Sequence, residues 1–255
     1  MALNNMGVIP GSPGDEKWTS AANAVTATTP RGLRLGQKME LPDGRVFRFV
    51  KNGATEIPAG RVVQAPVPSA NLDELVTAAA AVGATRITIT TGSTALTKDT
   101  VAYVNVEDDA GEGHLYAVAS NPAIATTTTD ALDLYPTDPV KVAITAASTT
   151  TVVISPYTGV IIHPSPSTAP VLGVTQTTLA ANYYGWVQTR GLCSVLTDGT
   201  LVIGNSVMAS DAVDGAVEPW GLTEATPNTE IEPAIGIVHE VAADTEHSLV
   251  FLRIE

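Results

Sequence analysis

The clearest pattern of apolar and polar positions lies in residues 183–207, YYGWVQTRGLCSVLTDGTLVIGNSV. Large side chains at 184, 186, 188 and 190 alternate there with small or β-branched ones, which is the period of a β-strand. An apolar run continues through Cys193 and Leu196. Asp198-Gly199 then predicts a tight hairpin turn, because glycine accepts the positive φ that such turns need. The stretch predicts a strand, a turn and a second strand that begins at Leu201.

Short apolar runs and turn residues recur along most of the chain at intervals of about ten residues, the rhythm of an all-β sandwich or barrel. The closing runs, 234–241 and 248–254, predict a final pair of strands. The runs in the middle of the chain predict five further strands at 86–90, 101–106, 114–119, 140–145 and 151–154. We therefore predict an all-β fold with two β units, each barrel- or sandwich-like.

The predicted domain organisation is discontinuous. Residues 1–37 carry several Gly and Pro and no sustained period, so they predict an extended N-terminal arm. Residues 38–70 plus 161–255 form the predicted main β domain, and residues 71–160 form an inserted β domain. Trp18 is the one large apolar residue of the arm. It is expected either to fold back on its own domain or to anchor the arm in a neighbour.

One helix is predicted, at residues 71–82. Asn71 and Glu74 have the spacing of a capping box, and Leu72, Leu75 and Val76 begin one apolar helical face. Gly83 is suited to end the helix.

Two segments of the predicted main domain resemble each other in spacing. Residues 57–63, IPAGRVV, align with residues 201–207, LVIGNSV, and the glycines Gly60 and Gly204 coincide. We expect these glycines to turn the chain into equivalent strands. The two segments of the chain that contain these strands are then the halves of one barrel or sandwich, with an insertion between them.

Charge argues against a nucleic-acid partner. The formal net charge is −13, from 26 acidic and 13 basic residues, and binding to phosphates requires an excess of basic residues. Residues 1–66 hold eight basic residues against five acids, whereas residues 211–255 hold ten acids against Arg253 alone. Two interpretations remain open: the two ends attract each other, within one subunit or between copies, or most of these residues simply form a solvated acidic surface. The sequence also contains no apolar run long enough for a membrane-spanning helix.

The sequence contains no recognisable catalytic motif, and no cofactor is expected. It lacks a nucleophile elbow, a phosphate-binding loop and a zinc-protease motif, and its four histidines lack the spacing of metal ligands. The acidic loop 108–112 is a minor candidate for calcium beside its ordinary interpretation as a polar turn. Asp211, Asp214 and Glu218 suggest the same with less support. Cys193 is predicted to be a small buried residue rather than a nucleophile.

Several segments resemble a family of structural proteins of tailed bacteriophages, the capsid decoration or cement proteins encoded near the major capsid protein. The resemblance covers residues 38–255, and its most specific parts are YGWVQTRG at 184–191, LTDG at 196–199 and the closing segment 236–254. It implies a non-enzymatic, β-rich virion protein, made in the host cytoplasm and placed on the outer surface of the capsid.

The resemblance also implies partners. The protein would bind the major capsid protein where capsomers meet, commonly as a homotrimer, and would stabilise the shell because it binds only the assembled form. Residues 1–36 are expected to order on a neighbouring subunit. The candidate interface residues are Trp18, Arg31, Arg34, Lys38 and Trp220.

Three other functions remain open. A tail- or fibre-associated virion protein belongs to the same structural class, although the chain shows neither long repeats nor heptads. A carbohydrate-binding β module would expose clustered aromatic residues, for which the candidates are Tyr183, Tyr184, Trp186 and Trp220. An enzyme, such as a glycan hydrolase or a protease, has no motif in its favour.

Overall fold

The computed structural model describes residues 8–21, 33–221 and 232–255. The chain divides into a main unit, Met1–Val67 with Pro156–Glu255, and an inserted unit, Pro68–Ser155. The predicted boundaries, at 70/71 and 160/161, differ from these by a few residues. The described residues form seventeen strands, β1 to β17: Val8–Pro10, Lys38–Glu40, Val46–Asn52, Val62–Gln64, Leu75–Val76, Arg86–Thr90, Val101–Val106, Leu115–Ser120, Thr129–Leu134, Thr149–Ile154, Thr158–Ile162, Val171–Thr175, Tyr184–Leu196, Ser206–Ala209, Val217–Pro219, Gly236–Glu240 and His247–Arg253. The predicted all-β, two-unit fold class is confirmed.

The main unit is one eleven-stranded sheet that closes on itself. Its order is β1-β2-β3-β11-β4-β12-β13-β17-β16-β14-β15, and β3 also pairs with β13, which completes a ring of five strands. On the other side of β13, a bridge between Thr197 and Val217 joins the end of that strand to β15 and completes a second ring. The long strand β13 is therefore shared by both rings.

Gly191 allows β13 to serve both rings. The pairing of β13 with β3 shifts register between Gln188 and Arg190, and Gly191 follows with φ +89°. A Cβ atom at this position would lie 3.2 Å from the Cα of Arg45. Only glycine takes this conformation and this close backbone approach without strain.

Each ring surrounds its own apolar core. One core contains Val50, Ile57, Val63, Val160, Leu179 and Val187. The other contains Cys193, Val195, Val207, Val238, Val250 and Leu252, among others. An aromatic layer covers the outside of β3 and β13, because strand alternation puts Phe47, Phe49, Tyr184 and Trp186 on that face.

The inserted unit is a six-stranded sheet in the order β5-β10-β7-β8-β9-β6. A bridge between Thr77 and Ile89 joins its two ends, so this sheet is also barrel-like. The alternating residues Val104, Val106, Tyr116 and Leu132 point into one buried core. Strand β9 was not predicted, and the predicted strand at 140–145 is wrong, because that segment forms only a single bridge at Ile144.

The predicted helix at 71–82 is wrong. The structure has a short 3₁₀ turn, Ala70–Leu72, capped by Ser69, and then strand β5. Leu75 and Val76 pair with Thr150 and Thr149. A single helix of this length is marginal without packing, so the pairing of these residues with two strands outweighs their helical preference. The described residues include no helix that is long and apolar enough to span a bilayer.

The hairpin predicted at Asp198-Gly199 is also wrong, although Gly199 does take a positive φ of 73°. Strand β13 pairs with β3, β12 and β17 rather than with the segment that follows it. Residues 201–203 are not a strand, and the chain resumes as β14 only at Ser206. The predicted closing pair of strands is confirmed, since β16 and β17 are antiparallel neighbours.

A short turn motif recurs through both units. Each copy has four residues: a first apolar residue, two middle residues, and a fourth residue at which the chain turns. A strand begins shortly after the fourth residue. The copies are residues 57–60, 80–83, 96–99, 124–127, 144–147, 179–182 and 201–204. The fourth residue has a positive φ in six of the seven, from 54° at Thr127 to 86° at Gly83. The similarity predicted between 57–63 and 201–207 is thus one case of a wider repeat.

Six of these copies are joined two by two. Ile57 bridges Leu179, Ala80 bridges Ile144, and Leu96 bridges Ile124. In each pair the two backbones exchange two hydrogen bonds of 2.8–2.9 Å. Among the described residues, Leu201 forms no such bridge. The copy at 201–204 is therefore the one that remains without a partner copy in the part of the chain that is described.

Candidate interaction surface

Trp18 belongs to the aromatic layer of its own main unit. Its ring lies 6.2 Å from that of Phe49, which in turn contacts Tyr184 at 5.7 Å and Trp186 at 5.1 Å between centroids. Nearby, buried Glu16 approaches Arg45 at 3.5 Å, and Ser20 bridges Tyr184. Of the two alternatives for Trp18, the structure has the one in which it folds back on its own unit.

Two of the three basic candidates, Arg34 and Lys38, lie at or just before β2. Lys38 begins β2, opposite Arg48 in β3, and is half-buried. The backbone N–H of Arg34 donates to Oε1 of Gln37 at 3.0 Å. Arg31 lies outside the described residues, as do residues 1–7 and 22–32 of the predicted arm. Lys38 alternates along β2 with Met39, which packs in the aromatic layer with Trp18, so the side chain of Lys38 lies on the opposite face of β2 from Trp18.

Trp220 lies elsewhere, directly after β15 at the other end of the strand order. Its side chain is 51% exposed. Its backbone N–H donates to the carbonyl of Ser206 at 3.0 Å, and its indole Nε1–H donates to the carbonyl of Glu232 at 3.2 Å. Trp220 is therefore fixed beside the start of β14.

The turn before β14 exposes two large apolar side chains that the sequence interpretation assigned to a strand. Val202 is 55% and Ile203 is 62% exposed. Gly204 donates a backbone hydrogen bond to Val238, and Val238 donates one to Asn205, which holds the turn against β16. We refer to Val202, Ile203 and Trp220 as the apolar tip.

The recurring turn motif shows why the apolar tip is unusual. The two middle positions of the turn are exposed in most copies, and there they carry mainly small or polar residues: Pro58 and Ala59, Thr97 and Lys98, Ala125 and Thr126, Thr145 and Ala146. The copy at 80–83 has one large apolar residue there, Val82, beside the small Ala81. At 202 and 203 both are β-branched and apolar. Large exposed apolar groups that cluster are typical of a surface that contacts a partner. Sequence comparison of all seven copies would have revealed this difference.

Comparison of the chain with protein-family models, with curated proteins and with solved structures found no match. The interpretation of the surface therefore depends on the geometry and on the residues themselves.

The other chemical candidates have structural roles. Asp108 accepts hydrogen bonds from the backbone N–H and the hydroxyl of Thr149, at 2.8 and 3.0 Å, so this carboxylate of the acidic loop is used inside the fold. Within the described residues, no group of three or more His, Cys, Asp or Glu side chains is arranged to hold a metal ion. Burial raises the pKa of the Cys193 thiol, and the residue is part of a core, as predicted.

A second acidic group surrounds Ser210 in the main unit. The Ser210 hydroxyl donates to Asp198 at 2.5 Å, and the backbone N–H of Asp211 donates to Glu218 at 3.4 Å. Burial, and then the charges of Asp211 and Asp198, raise the pKa of Glu218. His163 is fully buried, and neither ring nitrogen has a hydrogen-bond partner within the described part of the chain. Burial lowers its pKa, although Glu232 and Asp214 act in the opposite direction.

Proposed function

We propose that this protein is a bacteriophage capsid decoration protein that binds the outer surface of the shell, as a homotrimer, at the junctions of capsomers. It would contact the major capsid protein and stabilise the assembled shell without catalysing a reaction. The observation that carries the proposal is the apolar tip, in which three large side chains are 51–62% exposed on a rigid β framework. The family resemblance of residues 38–255 supplies the identity of the partner.

Two features support the tip as the contact with the capsid. First, backbone hydrogen bonds hold the turn of Val202 and Ile203 against β16 and hold Trp220 against Ser206, so burial of these side chains requires little additional ordering of the backbone. Second, weak contacts of this kind become effective when many symmetric copies bind the same shell. The described residues of the predicted arm are packed on their own unit through Trp18, which favours Trp220 over Trp18 as the anchor.

The direct test is cryo-electron microscopy of the virions of the phage that encodes this chain. We expect density for the chain over capsomer junctions, with residues 202–203 and Trp220 against the shell. Density at the tail would instead favour a tail-associated protein. Absence of the chain from the head would refute the proposal.

A matched pair of variants tests the tip itself. Ile203→Asp should strongly reduce occupancy of the capsid, since it places a charge at the centre of an apolar contact. Val82→Asp is the control, because Val82 occupies the same position of the turn motif and is 65% exposed. Equal occupancy of Ile203→Asp and wild type would rule out the tip as the contact. Deletion of residues 1–36 is a poorer test because it also removes part of the aromatic layer.

A further inference from the structure

Two exposed tyrosines stand in one row on the outside of the inserted unit. Tyr103 on β7 lies directly opposite Ala117 on β8. Tyr135, just after β9, donates its backbone N–H to the carbonyl of Ala117 at 3.2 Å. Both tyrosines are 41% exposed. Since adjacent strands are separated by about 4.8 Å, the backbones of the two tyrosines are about 10 Å apart. Only the methyl group of Ala117 lies between their side chains.

A polar cavity of about 290 Å³ lies on the inserted unit, and its lining includes Arg86, Ser120 and Asp133. Asp133 is on β9 and lies two positions before Tyr135, which follows the strand directly. Because strand residues two positions apart share a face, both side chains point outwards. Arg86 Nε donates to Asp133 Oδ1 at 2.5 Å, and the Ser120 hydroxyl donates to Asp133 Oδ2 at 3.2 Å. Lys98, Asp99 and Asp130 complete the rim. The guanidinium of Arg86 lowers the pKa of Asp133, which remains an ionised acceptor at neutral pH.

Charge indicates what kind of ligand fits this face. Arg86 is paired with Asp133, and Lys98 lies 3.9 Å from Asp99, so the basic groups of the cavity are already balanced by acids. The inserted unit as a whole carries ten acidic and three basic residues. This excess repels phosphate- and sulfate-bearing polymers. An uncharged ligand avoids this repulsion, and the pairing of Asp133 with Arg86 and of Asp99 with Lys98 leaves the cavity itself close to neutral.

The hydrogen-bonding groups narrow the choice further. A carboxylate can accept hydrogen bonds from two neighbouring hydroxyl groups of a ligand. A guanidinium, an ammonium group and a serine hydroxyl can donate hydrogen bonds to the oxygens of such hydroxyls. The aromatic ring of a tyrosine offers a flat apolar surface, and its hydroxyl group is polar. A ligand that offers adjacent hydroxyls and also apolar C–H faces matches both parts, and a sugar ring has this composition.

We propose that Tyr103, Tyr135 and the cavity around Asp133 form a binding site for a neutral oligosaccharide. Sugar rings would stack on the tyrosines, and the hydroxyls of a ring at one end would bond to Asp133, Arg86 and Ser120. This site belongs to the inserted unit and shares no residue with the apolar tip. It adds an attachment function to the proposed capsid role and does not depend on it.

The test uses the full chain and six probes: maltohexaose, cellohexaose, mannohexaose, chitohexaose and galactohexaose as neutral ligands, and a heparin hexasaccharide as the anionic comparison. Amide resonances of Ala117, Ser120 and Asp133 are followed by NMR during titration to millimolar concentrations. We expect at least one neutral hexasaccharide to shift these resonances in a saturable manner and heparin not to shift them.

Variants then separate this site from other surfaces. Tyr135→Ala should weaken binding about tenfold, as expected for one lost aromatic contact, and the double variant with Tyr103→Ala should abolish it. Phe251→Ala, which removes a 41% exposed aromatic ring of the main unit, is the matched control and should bind as wild type. Circular dichroism checks that each variant folds. Failure of every neutral probe, tighter binding of heparin, or retention of binding by the double variant would overturn the proposal.

Discussion

Asn52 is buried where the first ring of the main unit closes, and its replacement gives the sharpest test of the fold. The residue is 1% exposed. Its Nδ2 lies 2.8 Å from the carbonyls of Thr55 and Leu179 and 3.0 Å from that of Ala180. An amide group has only two N–H bonds, so two of these three acceptors are satisfied at any time. Asn52 thus attaches its own turn to the turn motif at 179–182.

Asn52→Asp keeps the size of the side chain and removes both donors. An ionised carboxylate would face three carbonyl oxygens without water, so we expect the folded variant to retain a proton. Retaining it at pH 7 costs about 4 kcal/mol, because an unperturbed Asp has a pKa of about 3.9 and each unit is worth about 1.36 kcal/mol. The protonated acid donates one hydrogen bond instead of two, which adds about 1 kcal/mol.

The loss should therefore be about 5 kcal/mol at pH 7 and should shrink by about 1.4 kcal/mol for each unit that the pH falls, down to about pH 4. The sign follows from the raised pKa of the folded variant, since protonation favours the folded state. Asn52→Ala should cost about 1–3 kcal/mol with no dependence on pH. Asn205→Asp is the control, because Asn205 is exposed in the same unit.

The assay is urea unfolding followed by tryptophan fluorescence, with each variant compared with wild type at the same pH. All three tryptophans, Trp18, Trp186 and Trp220, belong to the main unit, so the signal reports that unit alone. A loss below about 1 kcal/mol for Asn52→Asp at pH 7, or a loss that does not change between pH 7 and 5, would refute the reasoning.

Two further predictions concern buried ionisable groups of the main unit. Because the pKa of Glu218 is raised above its usual 4.5, its ionisation weakens the folded state as the pH rises. Glu218→Gln should therefore raise the melting temperature at pH 7 and lose this advantage below pH 4, and an equal effect at both pH values would contradict the assignment. Because the pKa of His163 is lowered from 6.5, the unfolded chain binds a proton first, and stability should fall as the pH drops below 6.5. His163→Phe should reduce that dependence in urea titrations between pH 7 and 5, whereas the same change at exposed His239 should leave it as in wild type.

The parts of the fold that could be predicted are those in which one strand carries its own pattern. Strand β17 alternates strictly and β7 alternates from Tyr103 onwards, and both were predicted within one or two residues. Strand β9 was missed because its outward positions are Thr129, Ala131 and Asp133, and only Leu132 and Leu134 are buried. The helix at 71–82 was predicted from local spacing, which contains no information about the strands that pair with Leu75 and Thr77.

The candidate surface was harder to predict because the sequence search followed aromatic residues. Tyr184 and Trp186 are 8% and 5% exposed, respectively, and pack in the aromatic layer with Trp18. Trp220 was identified from the sequence, but Val202 and Ile203 were assigned to a strand because β-branched residues favour strands. The positive φ of Gly204 and its spacing from Leu201 are the signals that place them in a turn instead.

The pairing of the turn copies explains why the exposed apolar residues occur where they do. A turn that bridges another copy satisfies its backbone internally, and its two middle positions face outwards whatever residues occupy them. Small or polar residues at those positions cost nothing, whereas Val202 and Ile203 leave apolar surface in water. The fold does not require these two residues, since the copies at 57–60 and 96–99 form the same turn with Pro58, Ala59, Thr97 and Lys98. Under the function proposed above, burial of these two residues against a partner accounts for them, so we expect Ile203→Asp to change occupancy of the capsid while the protein remains folded.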